Sequence, residues 1–429
     1  MTVYSEPARA FLKRHGMDPE SVDPGAWIDP MREEMERGLA GGKCSMEMIP
    51  TYLSNDGALQ PGHCAAVIDA GGTNFRCGLV QIGEDGWSVS DLYKSRMPGA
   101  NVPCTWEEFI RFTADRIEPL MDRTDRIGFC FSYSASVTPD MDARVNVIDK
   151  EVVVTGCEGQ LIGEALRHEL GQRGYAGRHV VILNDTVAVL LGGAAGLDKQ
   201  AYSGFIGQVS GTGTNTCVSL PVSRIGKLGM SGDRGMIVNL ESGEYNGIPG
   251  GDFDRILDWT SHNPGQKPFE KMTAGVYLGQ LCRLMLLAAA DEGLLSTEGS
   301  IRIRRMAEFD ASVVDAWSCG ESLEMLSSDP GDAAFARELS LALFRRSARC
   351  MCVNLLALTE LAGGGRDRPM CVLAEGSLVR RSRVYRPELE RLLERYGLEQ
   401  RGLRVSLLVG EETTLAGSAA AVLLNPGKG

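Results

Sequence analysis

The sequence predicts a mixed α/β protein of two lobes with a cleft between them, on three observations. At 429 residues the chain exceeds what one ordinary core holds, so two domains are expected. A β-hairpin followed by alternating helical and strand patterns occupies the first half, and the same order then restarts. Gly213-Thr214-Asn215 echoes Gly72-Thr73-Asn74 at a period of about 140 residues, which points to duplicated domains and excludes a short-repeat solenoid.

Each element follows from local pattern. Residues 1–60 read as a helical lead-in, with "DPMREEMERGLAGG" periodic, charged and stopped by Gly-Gly. "AAVIDAGGTNFRCGLV" (65–80) is a hairpin, with a third strand expected near residues 87–93. "TWEEFIRFTADRIEPLMDR" (105–123) is an amphipathic helix opened by a Thr105 cap. Residues 126–137 return to strand, 159–170 to helix, and 179–196 to a strand running through Asn184-Asp185 into a helix. "YSGFIGQVSGTGTNTCVSL" (202–220) is again strand, glycine-rich turn and strand. Residues 332–365 form one long helix, which at ~30 residues would run ~45 Å, its Met and Cys residues serving as core. "RPMCVLAEGSLV" and "RVSLLVG" are strands, each followed by a helical segment.

Composition narrows the function. A hydrophobic content of 43% with 23% charged residues describes a globular protein with ample core. A formal charge of −12 argues against a nucleic-acid surface, because phosphate backbones demand a basic footprint. Local backbone amides, helix ends or a metal ion could still hold a nucleotide. The 12 cysteines include no C-x-x-C pair, and the five histidines form no zinc pattern; buried free thiols in a reducing cytoplasm fit best. No apolar run approaches membrane-spanning length, and the N-terminus carries no apolar signal core, so a cytoplasmic protein without a membrane partner is expected.

Three constellations suggest chemistry. The two Gly-Thr turns supply amides that approach phosphates closely and short hydroxyl donors; one per lobe could clamp a triphosphate from both sides. Asp69 would repel a phosphate, so its natural role is to hold Mg²⁺ through water. Asn184-Asp185 stands at a strand's C-terminal end, where open α/β sheets bind ligands; it reads either as an ordinary helix cap or as a general base for an attacking hydroxyl. Ser132, Lys150, Glu241 and Glu270 suit a polyol, whose hydroxyls need many directional partners. A loop glutamate at 241 and a solvated Glu270–Lys271 pair are the plainer alternatives.

The chain resembles the hexokinase family, within the duplicated actin-like (ribonuclease-H-like) ATPases. The residues that carry the resemblance are "MIPTYL" (48–53), "DAGGTNFR" (69–76), "GFCFSYSAS" (128–136), "LNDTVAVLL" (183–191) and "GTGTN" (211–215). They continue with "NLESGEYNG" (239–247), the long block 253–284 and "AEGSLV" (374–379). The resemblance implies residues 63–187 with 418–429 as the small lobe, and 1–62 with 188–417 as the large one. It implies Asp185 as catalytic base with Lys150 steadying charge, and Ser132, Asp149, Lys150, Asn184, Asn215, Glu241 and Glu270 around the sugar. Asp69, Gly71, Gly72, Thr73, Asn74 and Phe75 match the first phosphate loop, and Gly211, Thr212, Gly213 and Thr214 the second. Gly376 and Ser377 fall in the adenosine segment, and Thr414 offers a hydroxyl to the nucleotide. The implied reaction moves the γ-phosphoryl of Mg-ATP to the 6-hydroxyl of a hexose, glucose first.

Four departures from the family pattern stand out. Asp149 replaces a threonine, Ser134 a proline, and Glu244 a small or apolar residue. "EETTLAG" (411–417) stands where the family has an Asp-Gly-Ser-Gly turn, and lacks the glycine that would take a positive φ freely. A non-catalytic sugar sensor, or a kinase for another hexose or an amino sugar, are the alternative readings.

Overall fold

The computed structural model describes residues 4–72, 74–148 and 152–427. Two sheets organise it. In the first, the strands lie in the order His179–Leu183, Arg126–Phe131, Cys64–Gly71, Asn74–Gly83 and Gly86–Arg96. In the second, the order is Ile49–Pro50, Gly235–Asn239, Thr214–Pro221, Gly204–Ser210, Met370–Glu375 and Val405–Val409. Each sheet is an antiparallel three-strand meander with two parallel strands added beside its first strand. The expected restart is therefore a true repeat of topology, with one extra edge strand on the second sheet.

The two halves are interlocked by an exchange of helices. Asp185–Ala194 leaves the last strand of the first sheet yet packs on the second sheet. Thr413–Leu424 leaves the last strand of the second sheet yet packs on the first. The helices lie against each other so closely that side chains are excluded at the crossing. A Cβ on Gly417 would come 1.9 Å from the Ala188 carbonyl oxygen, and one on Gly192 2.2 Å from that of Thr413. Around them Val67, Cys130, Leu183, Leu190, Cys371 and Ala420 form an apolar core shared by both halves. The outer face of the first sheet is covered by helices Trp106–Ile117 and Ile162–Gln172. The second sheet builds the larger core around the long helix Pro330–Leu361.

Several elements differ from sequence expectation for identifiable reasons. The run 126–137 is two strands: the chain leaves the first sheet at Ser132-Tyr133, and Ser134–Val137 pairs instead with Ala143–Val147. The Tyr133 hydroxyl donates to the Gly72 carbonyl at that break. The lead-in is α-helical only over Glu6–Arg14 and Pro24–Leu39, with a 3₁₀ turn at Pro19–Ser21; beyond Gly41, at φ 83°, it leaves the helix and adds the edge strand Ile49–Pro50. Helix Trp106–Ile117 carries the Thr105 cap as a full capping box with Glu108, but gives way to a short 3₁₀ turn, Glu118–Leu120, that contains Pro119. All twelve cysteines are free, and no described helix is long and apolar enough to cross a membrane.

Candidate active site

Two cavities meet at one pair of residues. The first, about 380 Å³, lies between the halves, a volume within the ~300–1,000 Å³ range of small-molecule sites. The second, about 480 Å³, opens over the first hairpin. Ser132 and Asp185 line both.

Strand His179–Leu183 delivers Asn184 and Asp185 to that junction. The cap reading of this dipeptide falls to Asn184. Asn184 is the helix N-cap, its side chain accepting from the Thr186 amide at 2.9 Å. Asp185 opens the helix, and its Oδ1 accepts from the same amide at 2.7 Å, so the carboxylate is held at the helix N-terminus facing both cavities.

The first cavity gathers Ser132, Asn184, Asp185, Asn215, Glu241 and Glu270 from both halves. Asn215 Nδ2 donates to Asn239 Oδ1 at 2.9 Å, and Asn239 Nδ2 to Glu241 Oε1 at 2.7 Å. Burial pushes the Glu241 carboxyl up to about 7, against the opposing pull of the Asn239 hydrogen bond and the Lys267 charge. Glu270 Oε2 accepts from the Thr214 amide at 2.9 Å, which ties this acid to the second glycine turn. Lys271 is not its solvated partner: that ammonium is buried and donates to Asp258 Oδ1 at 2.6 Å and to the Asn263 carbonyl at 2.8 Å. The loop glutamate at 241 likewise faces the cavity. Glu244 lines it too, with Oε2 accepting from the Lys267 amide at 2.9 Å.

The second cavity is lined by Asp69, Gly71, Asn74, Phe75 and Thr414. The Phe75 ring is buried against Phe112, 5.1 Å between centroids, so its part in the wall is structural. Gly72 takes φ 56° at the turn, the left-handed conformation glycine suits. Asp69 Oδ2 accepts from Arg76 Nε at 3.1 Å and from the Thr414 hydroxyl at 3.2 Å. The carboxylate expected to reach a metal is therefore ion-paired.

The expected two-sided clamp is divided between the cavities. Thr212, Gly213 and Thr214 line the first, because their hairpin belongs to the second sheet, whereas the first turn lines the second cavity. Gly211, Gly376 and Ser377 line neither: a Cβ on Gly211 would lie 3.3 Å from the Ser377 amide nitrogen, so the three lie against one another beside the second turn, with Ser377 exposed. Thr73, Asp149 and Lys150 lie outside the described residues.

Sequence reasoning missed Arg76, Lys94, Lys267 and Glu47, all of which line a cavity. Arg76 was reachable, since the hairpin register that pairs Gly71 with Asn74 also pairs Asp69 with Arg76. Glu47 and Lys267 had no such signal. Backbone strain also marks the site: Glu241 (φ 56°), Lys267 (φ 51°) and Glu412 (φ 54°) all line a cavity in the left-handed region that non-glycine residues avoid.

Comparison with known proteins is consistent with this geometry. Two family models described as hexokinase match residues 10–195 and 205–424. Hexokinase-3 of Rattus norvegicus is 30% identical over 359 residues, covering 77% of this chain but 38% of the relative. The chain thus spans well under half the length of that relative. Hexokinase-1 of Nicotiana tabacum is 28% identical over 409 residues, covering 85% of this chain and 80% of the relative. Among solved structures, a Schistosoma mansoni hexokinase complexed with glucose superposes with a TM-score of 0.75 at 20% identity, over 97% of this chain and 100% of that one. That likeness establishes the two-lobed actin-like fold.

Proposed function

The chain belongs to the hexokinase family, and on that premise we propose that it transfers the γ-phosphoryl of Mg-ATP to the 6-hydroxyl of a hexose, glucose first, with Asp185 as general base. The observation that carries the proposal is the position of Asp185, shared by a cavity rich in hydroxyl partners and a cavity walled by the first glycine turn.

A sugar hydroxyl is a poor nucleophile, so the site must aim it along the phosphorus–oxygen axis and remove its proton. Phosphoryl transfer rests mainly on positioning and charge stabilisation. Asn184, Asn215, Glu241 and Glu270 orient the sugar, and Asp185 takes the 6-hydroxyl proton. The turn 69–75, Thr414 and the second turn receive the phosphates, Gly376 and Ser377 the adenosine, and Lys150 steadies the sugar or the moving charge. Because the two turns line different cavities, movement of the small lobe (63–187 with 418–429) toward the large one is needed to bring them onto one triphosphate. The same closure excludes water, the competing nucleophile. Mg²⁺ suits this donor set, since it keeps its waters and takes one or two carboxylates beside phosphate oxygens; Asp69 would meet it through water. When bound, the ion neutralises phosphate charge. Free thiols throughout fit a cytoplasmic setting.

One observation favours a second substrate. Among the described residues, five acids line the first cavity (Glu47, Asp185, Glu241, Glu244, Glu270) against the single cation Lys267, so an ammonium-bearing hexose is electrostatically welcome. Coupled detection of ADP with glucose, mannose, fructose and glucosamine tests both readings. Turnover with glucose or glucosamine is expected; sugar binding without ADP from any of the four would overturn the kinase reading in favour of a sensor.

The elevated Glu241 carboxyl makes a pH prediction. Its neutral form accepts hydroxyl hydrogen bonds poorly, so the KM for sugar falls as pH rises through about 7, and Glu241→Gln flattens that dependence. Stability moves the other way. The folded chain keeps a proton that the unfolded chain releases near 4.5, so this group's contribution is full in acid and lost as pH climbs through about 7. A pH series of KM and of urea midpoints on both proteins reads the two effects.

A further inference from the structure

We propose that the edge strand Val405–Val409 of the second sheet pairs antiparallel with the same strand of a second copy of this chain, making a twofold dimer with one continuous sheet. The strand is the last of its sheet and is bonded on one side to Met370–Glu375. Register decides which of its groups are left over. The Met370 amide donates to the Arg404 carbonyl at 2.9 Å, and the Gly410 amide to the Ala374 carbonyl at 2.9 Å. With Met370 opposite Val405, this pattern turns the amides and carbonyls of Ser406 and Leu408 inward. Those of Val405, Leu407 and Val409 therefore point out of the sheet, and no other described residue hydrogen-bonds to them. Exposed edges are ordinarily blunted by lysine, proline, a bulge or a covering element. The run "VSLLV" has no charge and no proline, pairs without a register shift, and is half-buried at all five positions. Val405, Leu407 and Val409 pack toward the larger core and Leu408 toward the shared one, so the side chains anchor the strand while its outer backbone row stays open.

Charge identifies the occupant. The strand begins beside Arg366, Arg368 and Arg404, all exposed and none ion-paired with another described residue. Backbone contacts hold them in place without neutralising them. Arg404 Nη2 donates to the carbonyls of Arg366 at 2.7 Å and Asp367 at 2.6 Å, and Arg368 Nη1 to that of Gln200 at 2.6 Å. The strand runs out into Glu411 and Glu412. Glu411 pairs with Arg380, and Glu412 Oε1 lies 3.4 Å from Arg76 Nη1 and 3.6 Å from Lys94 Nζ. Both side chains still face solvent, 68% and 58% exposed, so a further cation can approach them. Antiparallel pairing centred on Leu407 sets Val405 of one copy against Val409 of the other. Three outward residues with two groups each then exchange six hydrogen bonds. The same register brings the arginine end of each copy to the glutamate end of the other. Parallel pairing would instead set arginine on arginine and glutamate on glutamate. The contact uses one patch on both copies, so it closes at two.

Sedimentation equilibrium of the full chain across the micromolar range tests it, because so small an interface dissociates on dilution. A reversible monomer–dimer equilibrium that stops at two copies is expected. Arg366→Glu and Glu411→Lys, each alone, should weaken the dimer by about ten-fold, since each sets like charges together at both ends. An equimolar mixture of the two variants restores opposite charges at both ends and should dimerise within a few-fold of the parent. Leu407→Pro deletes the central outward amide at a position where an edge strand tolerates proline, and should abolish the dimer. Circular dichroism checks that this variant folds; if it does not, the charge variants decide alone. A chain that stays monomeric throughout overturns the proposal, as does a dimer indifferent to both charge variants or a mixture no tighter than either of them. Growth beyond two copies also overturns it, because a twofold contact cannot propagate. The readout involves no turnover, so the dimer stands or falls apart from the kinase reading.

Discussion

Asp185→Ala lowers kcat by about 10²- to 10⁴-fold while leaving sugar affinity within a few-fold and the unfolding midpoint nearly unchanged. The size follows from the contribution of a positioned general base. Selectivity follows from geometry. The helix keeps its N-cap in Asn184, whose side chain holds the Thr186 amide at 2.9 Å, so that amide still has an acceptor when Asp185 Oδ1 is removed and the helix start loses mainly a favourable charge. That charge is worth about 0.3–1 kcal/mol. In the proposed reaction the sugar keeps Asn215, Glu241 and Glu270, which line the first cavity from other elements. Asp185→Asn separates the proton-accepting role from shape, and should be nearly as inactive. Steady-state turnover, sugar titration and thermal unfolding on both variants make the check. Turnover within ten-fold of the parent would remove Asp185 from the chemistry.

Arg346→Ala destabilises the fold by about 3–5 kcal/mol, the usual cost of stranding one member of a buried ion pair. Arg346 sits in the middle of the long helix Pro330–Leu361, fully buried. Its Nη1 and Nη2 each lie 2.5 Å from a different oxygen of Asp254, a bidentate contact. Asp254 also accepts from the Gly251 amide at 2.7 Å, holding the start of helix Asp252–Thr260. Truncating the arginine leaves that carboxylate desolvated without its counter-ion. The double variant Arg346→Met with Asp254→Leu removes both charges and should recover most of the loss. A residual of roughly 1 kcal/mol is expected from the vacated Gly251 amide. Urea unfolding of the single and double variants distinguishes these cases. A single-variant loss under about 1 kcal/mol would mean that water reaches Asp254 once the arginine is gone.

Legibility in the sequence tracked the range of the interaction. The hairpins at 65–80 and 202–220 were readable because alternation and turn residues are local, and the long helix because its apolar period persists for nine turns. The strand at 126–137 was misread as one element. Its apolar pattern continues past Ser132, while the Tyr133 hydroxyl bonds to Gly72, 61 residues away, at the point where the chain leaves the sheet. The lead-in was read as helical past Gly41 because nothing local announces an edge strand that forms only on Gly235–Asn239. Candidate site residues came from motif and family resemblance. Their division between two cavities did not, since it depends on which sheet each turn belongs to.

By itself the sequence determined a duplicated α/β chain of two lobes, with an Asn-Asp pair at a strand end and acids suited to a polyol. Those features depend on neighbours a few residues apart, where periodicity and turn chemistry act. The tertiary structure alone decided that Asp185 stands where two cavities join, that helices 185–194 and 413–424 exchange sheets, and that Asp69 is paired with Arg76. It also decided that Glu412 lies over two cations. These are contacts between groups on different strands and helices, and Coulomb and packing forces act through space, so only the folded chain brings their partners within range.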